Sequence, residues 1–463
     1  MSETITAIST ALGESGIGIV RVSGPASMDI MKALMMKVPE NIEPRHMYLS
    51  RVKGEKSDAV DQALFIYMKS PASYTGEDML EIQAHGSNVS LKEILRRVLD
   101  CGVDNVRMAE PGEFTKLAFL NGKMDLSQAE AVIDIIKAKT DLSLNIAESQ
   151  REGRLGESIR EIRNDLLDVL AEMAVNIDYP DEDFDQVESD EFSNKLRWII
   201  NDVENLIDTA SIGRIAREGI KVAIIGKPNV GKSSLMNALL GEGRVIVTDI
   251  PGTTRDTVEE NLSLGGIPIV LVDTAGLRET EDIVEKIGIK KTEQAIASAD
   301  MVMLVVDGSN DFEEEDNKII NYIMKMDSSH IMVVINKNDL GNSIDENEIR
   351  NKLPDATVVT TSLVGKAAID SARTISEAIG NMFSLNEIKL NETNIITNER
   401  HLKLLKNASM NLGEAVSMLQ NGDPLEVAEL SAHYAYDSLG YIIGEEIGDD
   451  VIDNVFSKFC LGK

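Results

Sequence analysis

The sequence has little cysteine, little histidine and few aromatic residues. Its 463 residues include two cysteines and five histidines, and aromatic residues make up 4%. Cys101 and Cys460 cannot build a disulfide framework, so we expect a reducing compartment, the cytoplasm. Histidines this sparse, without cysteine pairs, do not predict a zinc cluster.

Signals for a membrane or for export are missing as well. No apolar run approaches the ~20 residues that a helix needs to cross a bilayer. The first residues, MSETITAISTALGESG, have an acid and hydroxyls where a secretory signal has a basic patch and an apolar stretch. We therefore expect no membrane association.

Positive charge is scarce too, because 46 Lys and Arg face 78 Asp and Glu, for a net charge of -32. This balance argues against broad, non-specific nucleic-acid binding but leaves room for a local basic patch. Acidic residues cluster at 178–191, 311–316 and 444–450. We predict that these runs are solvated loops or helix faces, and we assign them no ligand.

Three patterns along the chain predict a multidomain α+β and α/β protein. Residues 1–118 mix short β-like runs with one helix, which is typical of an α+β domain. Residues 219–382 alternate strand-like and helical segments, which predicts an inserted α/β domain with a mainly parallel sheet. The flanking residues, 119–218 and 383–463, have helical periodicity and predict one discontinuous helical domain.

A phosphate-binding loop is the strongest local motif. The segment GKPNVGKS, residues 226–233, follows the strand-like KVAII and precedes a helical pattern. In this context glycines let backbone N–H groups surround phosphate oxygens at a helix N-terminus. Lys232 supplies a charge to the β- and γ-phosphates, and Ser233 offers a hydroxyl to Mg²⁺. The segment predicts a nucleotide site in a Ras-like P-loop domain.

The base is predicted to be guanine. Asn336-Lys337-Asn338-Asp339 follows the strand-like HIMVVI, and the carboxylate of Asp339 can accept two N–H groups that only guanine presents. Two further segments are expected to contact the phosphates and Mg²⁺: 273–276, DTAG, and the stretch around Thr254. The loop containing Ser362 and Leu363 should support the base, although it departs from the common Ser-Ala pattern.

The residue after DTAG is Leu277, where many GTPases have the glutamine that orients water. A leucine cannot hydrogen-bond water. Hydrolysis is therefore either slow or assisted by another group, with Glu279, Glu281 and Glu285 as candidates.

The chain ends on FSKFCLGK, which allows three interpretations. Cys460 stands fourth from the end, as in a prenylation signal, but Gly462 and Lys463 fit that signal poorly. The segment could be a frayed helix. It could also be a terminus delivered into an active site.

The motifs together resemble the tRNA modification GTPase MnmE (TrmE) family along nearly the whole chain. The matching segments are IVRVSG, YTGEDMLEIQAHG, EPGEFTKLAFLNGKMDLSQAEAV, IDYPDED, GKPNVGKSSLMNALL, VTDIPGTTRD, DTAGLRETEDIVEKIGI, NKND and FCLGK. The departures are small: Leu461 stands where the family usually has Ile, and the Thr-Ser-Leu loop differs.

The resemblance implies a tetrahydrofolate site in the N-terminal domain, which also dimerises. Arg21, Glu81 and Lys123 would contact the folate, and the terminal motif would bring Lys463 to it. Cys460 would lie near the one-carbon group, either lining the pocket or acting as a covalent catalyst. The donor would be 5,10-methylene- or 5-formyl-tetrahydrofolate.

The resemblance also implies a K⁺-dependent GTPase in which Glu285 orients water and Lys232 stabilises charge. K⁺ would be held by Asn229, Thr248, Ile250 and Thr253, and Mg²⁺ by Ser233 and Thr254. The full set expected to bind GTP is Asn229, Val230, Gly231, Lys232, Ser233, Ser234, Thr248, Asp249, Ile250, Pro251, Gly252, Thr253, Thr254, Asp273, Thr274, Ala275, Gly276, Asn336, Lys337, Asn338, Asp339, Ser362 and Leu363.

The reaction implied is the addition of an aminomethyl or carboxymethylaminomethyl group to carbon 5 of the wobble uridine of certain tRNAs. A homodimer would act with the flavoprotein MnmG, which supplies FAD, in a heterotetramer or larger complex. The alternative is a ribosome-assembly or regulatory GTPase without folate chemistry. Against it stand the net charge of -32 and the lack of a KH-type segment after residue 382. Folate binding would discriminate the two.

Overall fold

A computed structural model describes most of the chain. The described residues are 3–54, 59–178, 189–242, 244–245, 260–272, 296–297, 299–325, 330–341, 343–383 and 394–463. They fall into two compact units. The first comprises Met1–Ile133, Gln150–Ser193 and Glu414–Lys463, and the second comprises Asp134–Ser149 and Asn194–Gly413.

The first unit contains a six-stranded sheet in the order β3-β4-β5-β2-β1-β6. Its strands are β1 (Thr4–Ile8), β2 (Ser15–Ser23), β3 (Met47–Lys53), β4 (Ala59–Met68), β5 (Met79–Gly86) and β6 (Val106–Met108). All neighbouring pairs are antiparallel except β1 and β6, which are parallel. The strands β3 and β6 were not predicted from the sequence.

One face of this sheet is covered by α1 (Ser27–Leu34) and α2 (Asn88–Leu99). Val20, Val22 and Ile82 point into that core beside Ile30 and Leu91 of the helices. Because side chains alternate along a strand, the residues between them lie on the opposite face. That opposite face carries Arg21 and Glu81, two of the residues predicted to bind folate.

The helical part of the chain is built from segments on both sides of the α/β insertion. The helices are α3 (Glu113–Leu120), α4 (Leu126–Lys137), α5 (Asp141–Arg151), α6 (Arg154–Asp178), α7 (Ser189–Asp208) and α8 (Ala210–Glu218), then, after the insertion, α13 (Glu399–Asn421), α14 (Leu425–Ile443) and α15 (Asp449–Ser457). In the first unit α6 packs against α14. The buried Arg163 of α6 pairs with Glu445 and lies 4.0 Å from the ring centroid of Tyr436. Helices are therefore present on both sides of the insertion, as predicted.

The second unit contains a seven-stranded sheet in the order β13-β12-β11-β7-β10-β9-β8. Its strands are β7 (Ile220–Ile225), β8 (Arg244–Val245), β9 (Glu260–Leu264), β10 (Ile267–Val272), β11 (Met301–Asp307), β12 (Ile331–Asn336) and β13 (Thr357–Thr360). The strands β7, β10, β11, β12 and β13 are parallel, as predicted. The unpredicted β9 is antiparallel to β10 and to β8.

Helices lie on both faces of this sheet, as parallel strands require. They are α9 (Lys232–Glu242), α10 (Glu314–Lys325), α11 (Glu346–Lys352) and α12 (Ala367–Met382). Leu235 and Leu239 of α9 pack in one core with Ile375 of α12. Ile320 of α10 and Ile349 of α11 pack in the other. Within the described ranges, every helix is too short or too polar to span a bilayer.

Candidate functional site

The phosphate loop leaves the C-terminal end of β7 and runs into α9. Its backbone has positive φ at Gly226 (149°), Asn229 (63°) and Gly231 (105°). A Cβ at Gly231 would collide with the side-chain nitrogen of Asn336, and one at Gly226 would collide with the carbonyl oxygen of Val305. Glycine is therefore required at both positions, for conformation and for space.

The ammonium group of Lys232 lies against the backbone of this loop. Its Nζ donates to the carbonyl oxygens of Gly226, at 2.8 Å, and Lys227, at 2.6 Å. Burial lowers the pKa of the Lys232 ammonium. Ser233 and Ser234 follow in the first turn of α9, where helix N–H groups attract anions. The loop can thus hold phosphate with one side-chain cation and a set of backbone donors.

The predicted base-binding segment lies at the end of β12. The buried side-chain amide of Asn336 donates to the carbonyl of Val230, at 2.8 Å, and so ties this segment to the phosphate loop. The exposed carboxylate of Asp339 accepts from the hydroxyl of Ser362, at 2.8 Å. Leu363 packs against the core. The hydroxyl of Ser362 therefore holds the carboxylate of Asp339, the residue that is predicted to bind the base.

Lys337 is fixed by an ion pair with Asp307, whose Oδ2 lies 2.7 Å from Nζ. Burial raises the pKa of the Asp307 carboxyl, but hydrogen bonds from Lys337 and Ser309 outweigh it and lower the pKa to about 2. Asp307 therefore stays ionised, and Lys337 stays held at the edge of the base-binding segment.

Part of the predicted nucleotide site falls outside the described residues. The predicted contacts in that part are Thr248, Asp249, Ile250, Pro251, Gly252, Thr253, Thr254, Asp273, Thr274, Ala275, Gly276 and Glu285. Leu277 and the alternative water-orienting residues Glu279 and Glu281 are also outside. Of the predicted K⁺ ligands only Asn229 is described, exposed at the loop apex.

A second polar cluster lies in the first unit, on the sheet face opposite α1 and α2. Arg21 of β2 is paired in register with Glu81 of β5. The Nε and Nη2 atoms of Arg21 both donate to Oε1 of Glu81, at 3.2 and 2.9 Å. The two side chains are only 15% and 16% exposed. A mostly buried ion pair of this kind needs its remaining hydrogen-bonding groups satisfied by further partners.

The terminal segment supplies one of those partners. Nη1 of Arg21 donates to the carbonyl of Gly462, at 3.3 Å, while the carbonyl of Cys460 accepts from the N–H of Gly112, at 3.4 Å. Gly462 has a φ of 87°, and a Cβ there would collide with the carbonyl of Ile8. Among the three interpretations of FSKFCLGK, these contacts favour a terminus that is seated at the polar cluster.

Lys463 and Cys460 lie at the edge of the same cluster. Lys463 is half-buried, and burial, together with the nearby charge of Arg21, lowers the pKa of its ammonium, while Glu81 and Cys460 act in the opposite direction. The thiol of Cys460 is free, and the residue is exposed.

Lys123 contacts the loop that joins β4 to β5. Its Nζ donates to the carbonyl of Pro71, at 3.2 Å, and its stem lies against Gly76. The same loop contributes Tyr74, whose ring centroid is 5.7 Å from the guanidinium carbon of Arg21. Lys123 is thus joined to the Arg21 cluster through this loop.

Sequence reasoning missed three side chains around Arg21. Tyr74 and Phe114 each place a ring centroid 5.7 Å from its guanidinium carbon, and Gln83 donates to Oε2 of Glu81 at 3.4 Å. Alternation along β5 could have identified Gln83, two residues after Glu81. Nothing local in the sequence connects Tyr74 or Phe114 to Arg21.

The cluster can bind a flat, polar ligand with an anionic tail. A carboxylate accepts N–H groups, and the guanidinium and ammonium groups donate to carbonyl or carboxylate oxygens. The partly exposed ring of Tyr74 supplies stacking surface, whereas the ring of Phe114 is fully buried and packs beneath Arg21. Because these groups are held by packed strands and by a seated terminus, their positions are set before a ligand arrives.

Two family models match the chain. One is described as the GTP-binding protein TrmE N-terminus and matches residues 4–123, and the other is described as the MnmE helical domain and matches residues 126–460. The chain is 43% identical over 467 residues to the tRNA modification GTPase MnmE of Clostridioides difficile (strain 630), covering 100% of both chains. It is 40% identical over 467 residues to the protein of the same name from Bacillus subtilis (strain 168), again covering 100% of both. The chain therefore belongs to the tRNA modification GTPase MnmE family.

Proposed function

We propose that this protein hydrolyses GTP and modifies carbon 5 of the wobble uridine of certain tRNAs. It adds an aminomethyl or carboxymethylaminomethyl group, with the carbon supplied by 5,10-methylene- or 5-formyl-tetrahydrofolate. The observation that carries the proposal is the pairing of Arg21 with Glu81 and with the terminal segment, in a chain that also has a phosphate loop. Because tRNA is the substrate, we place the reaction in the cytoplasm.

GTP binds across the C-terminal end of the parallel sheet, where ligands of such sheets are found. Lys232 lies against the β- and γ-phosphates, and Asp339 accepts the N–H groups of guanine. Mg²⁺ would be held by Ser233 and Thr254, whose hydroxyl oxygens are the hard ligands that this ion prefers. The Mg²⁺ ion supplies charge that offsets the phosphates. This assignment is supported by the positive φ angles in the phosphate loop and by the hydrogen bond between Ser362 and Asp339.

Hydrolysis depends on K⁺ because Leu277 cannot orient water. Asn229, Thr248, Ile250 and Thr253 would hold the ion, which supplies positive charge beside the bond that breaks. Glu285 orients the attacking water. The fit rests on Asn229, an oxygen-bearing side chain exposed at the loop apex.

The folate lies against Arg21 and Glu81, with Lys123 and Lys463 meeting its oxygen atoms. Glu81 accepts N–H groups of the pteridine, and the cations donate to its carbonyl or to the glutamyl carboxylates. Cys460 lines the pocket near the one-carbon group. A covalent role for Cys460 is the alternative, and an exposed free thiol is compatible with it.

The protein acts as a homodimer through its N-terminal sheet. Register places Met47, Ile66, Glu81 and Arg21 in one row across four strands, on the sheet face opposite α1 and α2. In that row Met47 is 57% exposed, and the nearby Leu49 is 64% exposed. An apolar surface continuous with a ligand site is a typical interface. A second copy would cover it and complete the folate pocket.

The domain assignment follows from these roles. Residues 1–118 form the folate-binding and dimerisation domain, 119–218 and 383–463 form the helical domain, which contributes Lys123 and Lys463 to the folate site, and 219–382 form the GTPase domain. The flavoprotein MnmG, which carries FAD, joins in a heterotetramer or larger complex and takes part in the chemistry on tRNA.

Replacing Asp339 with asparagine should move base preference from guanine towards xanthine. The amide offers a donor where guanine needs an acceptor, and one unpaired polar group costs about 1–3 kcal/mol, or roughly tenfold to a hundredfold in affinity. Titration with GDP and xanthosine diphosphate measures the shift. An unchanged preference for GDP would contradict the guanine assignment.

Replacing Glu81 with glutamine should weaken 5-formyl-tetrahydrofolate binding by roughly tenfold to a hundredfold, the usual effect of losing a charge-assisted hydrogen bond. Wobble-uridine modification should fall with it, while GTP hydrolysis continues. Deleting Cys460 through Lys463 should have the same two effects. Glu93→Gln, a glutamate on α2 paired with Arg96, is the matched control. Normal folate binding by Glu81→Gln would remove Arg21 and Glu81 from the proposed site.

Exchanging K⁺ for Na⁺ at constant ionic strength should slow GTP turnover by at least about tenfold, because the smaller ion fits the ring of oxygens poorly. Nucleotide affinity should change much less. Asn229→Ala should abolish the response to K⁺, and Glu285→Ala should slow turnover even in saturating K⁺. Equal rates in the two salts for the unmodified protein would refute the mechanism.

A further inference from the structure

Lys227, the second residue of the phosphate loop, has a side chain that nucleotide binding does not explain. Its Nζ lies 2.7 Å from Oδ2 of Asp316 and 2.8 Å from Oε2 of Glu313. The Lys227 side chain is 13% exposed, and that of Asp316 is 5% exposed. A buried ion pair therefore connects the phosphate loop to a residue outside it, Asp316.

The acidic run at 311–316 was predicted to be a solvated surface without a ligand. Glu314 and Glu315 fit that prediction because both are exposed. Asp316 does not fit it, because it is buried. The prediction was incomplete because Lys227 is far from this run in sequence.

The start of α10 fixes the position of the Asp316 carboxylate. Its Oδ2 also accepts the backbone N–H of Glu313, at 3.0 Å, which is half of a capping box. Its rotamer is thus set by the helix, independently of Lys227. The N-terminal end of α10 thus presents a fixed carboxylate, with which Lys227 of the phosphate loop forms an ion pair.

Lys227 in turn helps to position the cation that faces phosphate. Its carbonyl accepts from Nζ of Lys232, at 2.6 Å. The segment from Asp307 to Asp316 also reaches the base-binding end, since Asp307 pairs with Lys337 and Gly308 donates to the carbonyl of Asn336 at 2.7 Å. One short segment thus contacts both ends of the nucleotide site.

We propose that Lys227 and Asp316 are a positioning pair that holds the phosphate loop in its binding conformation and sets the affinity for the diphosphate of guanine nucleotides. The inference rests on the proposed function, in which this loop binds GTP. Without Lys227, the buried carboxylate of Asp316 would lose its counter-ion next to a loop proposed to bind phosphate, and like charges repel. Loss of the pair should therefore weaken binding of the diphosphate, while the selectivity for guanine is unchanged.

The test compares Lys227→Met with Lys318→Met, which removes an exposed lysine of α10. We expect the Lys227 variant to bind GDP at least about tenfold more weakly than the control. Its discrimination between GDP and IDP should be unchanged, because that ratio reports on Asp339. If the pair only maintained the fold, its loss would reduce both the GDP affinity and the discrimination between GDP and IDP. Lys227→Arg should restore GDP affinity, and adding Asp316→Asn to Lys227→Met should recover part of it by removing the unpaired charge.

GDP affinity in Lys227→Met within about threefold of Lys318→Met would overturn the proposal. If circular dichroism shows that Lys227→Met is unfolded, Asp316→Asn is compared with Glu315→Gln, a neighbour in the same helical turn. Equal GDP affinities in that second pair would also overturn it. Failure of the unmodified protein to bind GDP would contradict the proposed function itself.

Discussion

The guanidinium of Arg21 joins segments of the first unit that are far apart in the chain. A mostly buried cation must be paired and hydrogen-bonded, and the partners of Arg21 come from segments far apart in the chain. Glu81 fixes the register of β2 against β5, and the carbonyl of Gly462 brings the terminal segment back to the sheet. The rings of Tyr74 and Phe114 complete the surroundings. One charge is thus in contact with a neighbouring strand, a loop and the terminal residues.

The second unit uses the same principle at its nucleotide site. Each lysine around the phosphate loop is held by oxygen atoms: Lys232 by loop carbonyls, Lys337 by Asp307 and Lys227 by Asp316. Groups positioned in advance lose little freedom when a ligand binds, so more of the interaction energy appears as affinity. Lys227 and Lys337, like Arg21, are therefore held by partners remote in sequence, whereas Lys232 is held by carbonyls of its own loop.

Sequence reasoning succeeded where the chemistry is local. The segments GKPNVGKS and NKND lie at the C-terminal ends of β7 and β12, as predicted, and four of the five parallel strands are largely apolar runs. It failed for β3, β6, β8 and β9, which are edge or near-edge strands with mixed polar composition, and for α1, because only one helix was predicted in residues 1–118. The Gly265-Gly266 pair after β9, with φ of 57° and 86°, could have indicated a tight hairpin to β10. The contacts of Tyr74, Phe114 and Asp316 could not be predicted, because each joins segments with no local pattern in common.

We propose that a one-carbon unit held at Arg21 and Glu81 is transferred to tRNA. The most direct measurement supplies the purified protein with GTP, tRNA, the flavoprotein and tetrahydrofolate carrying an isotopically labelled one-carbon unit, followed by mass spectrometry of the tRNA nucleosides. We predict that the label appears in the substituent on carbon 5 of the wobble uridine, and that Glu81→Gln suppresses it. A modified wobble uridine without label, or labelling that is unaffected by Glu81→Gln, would contradict the account.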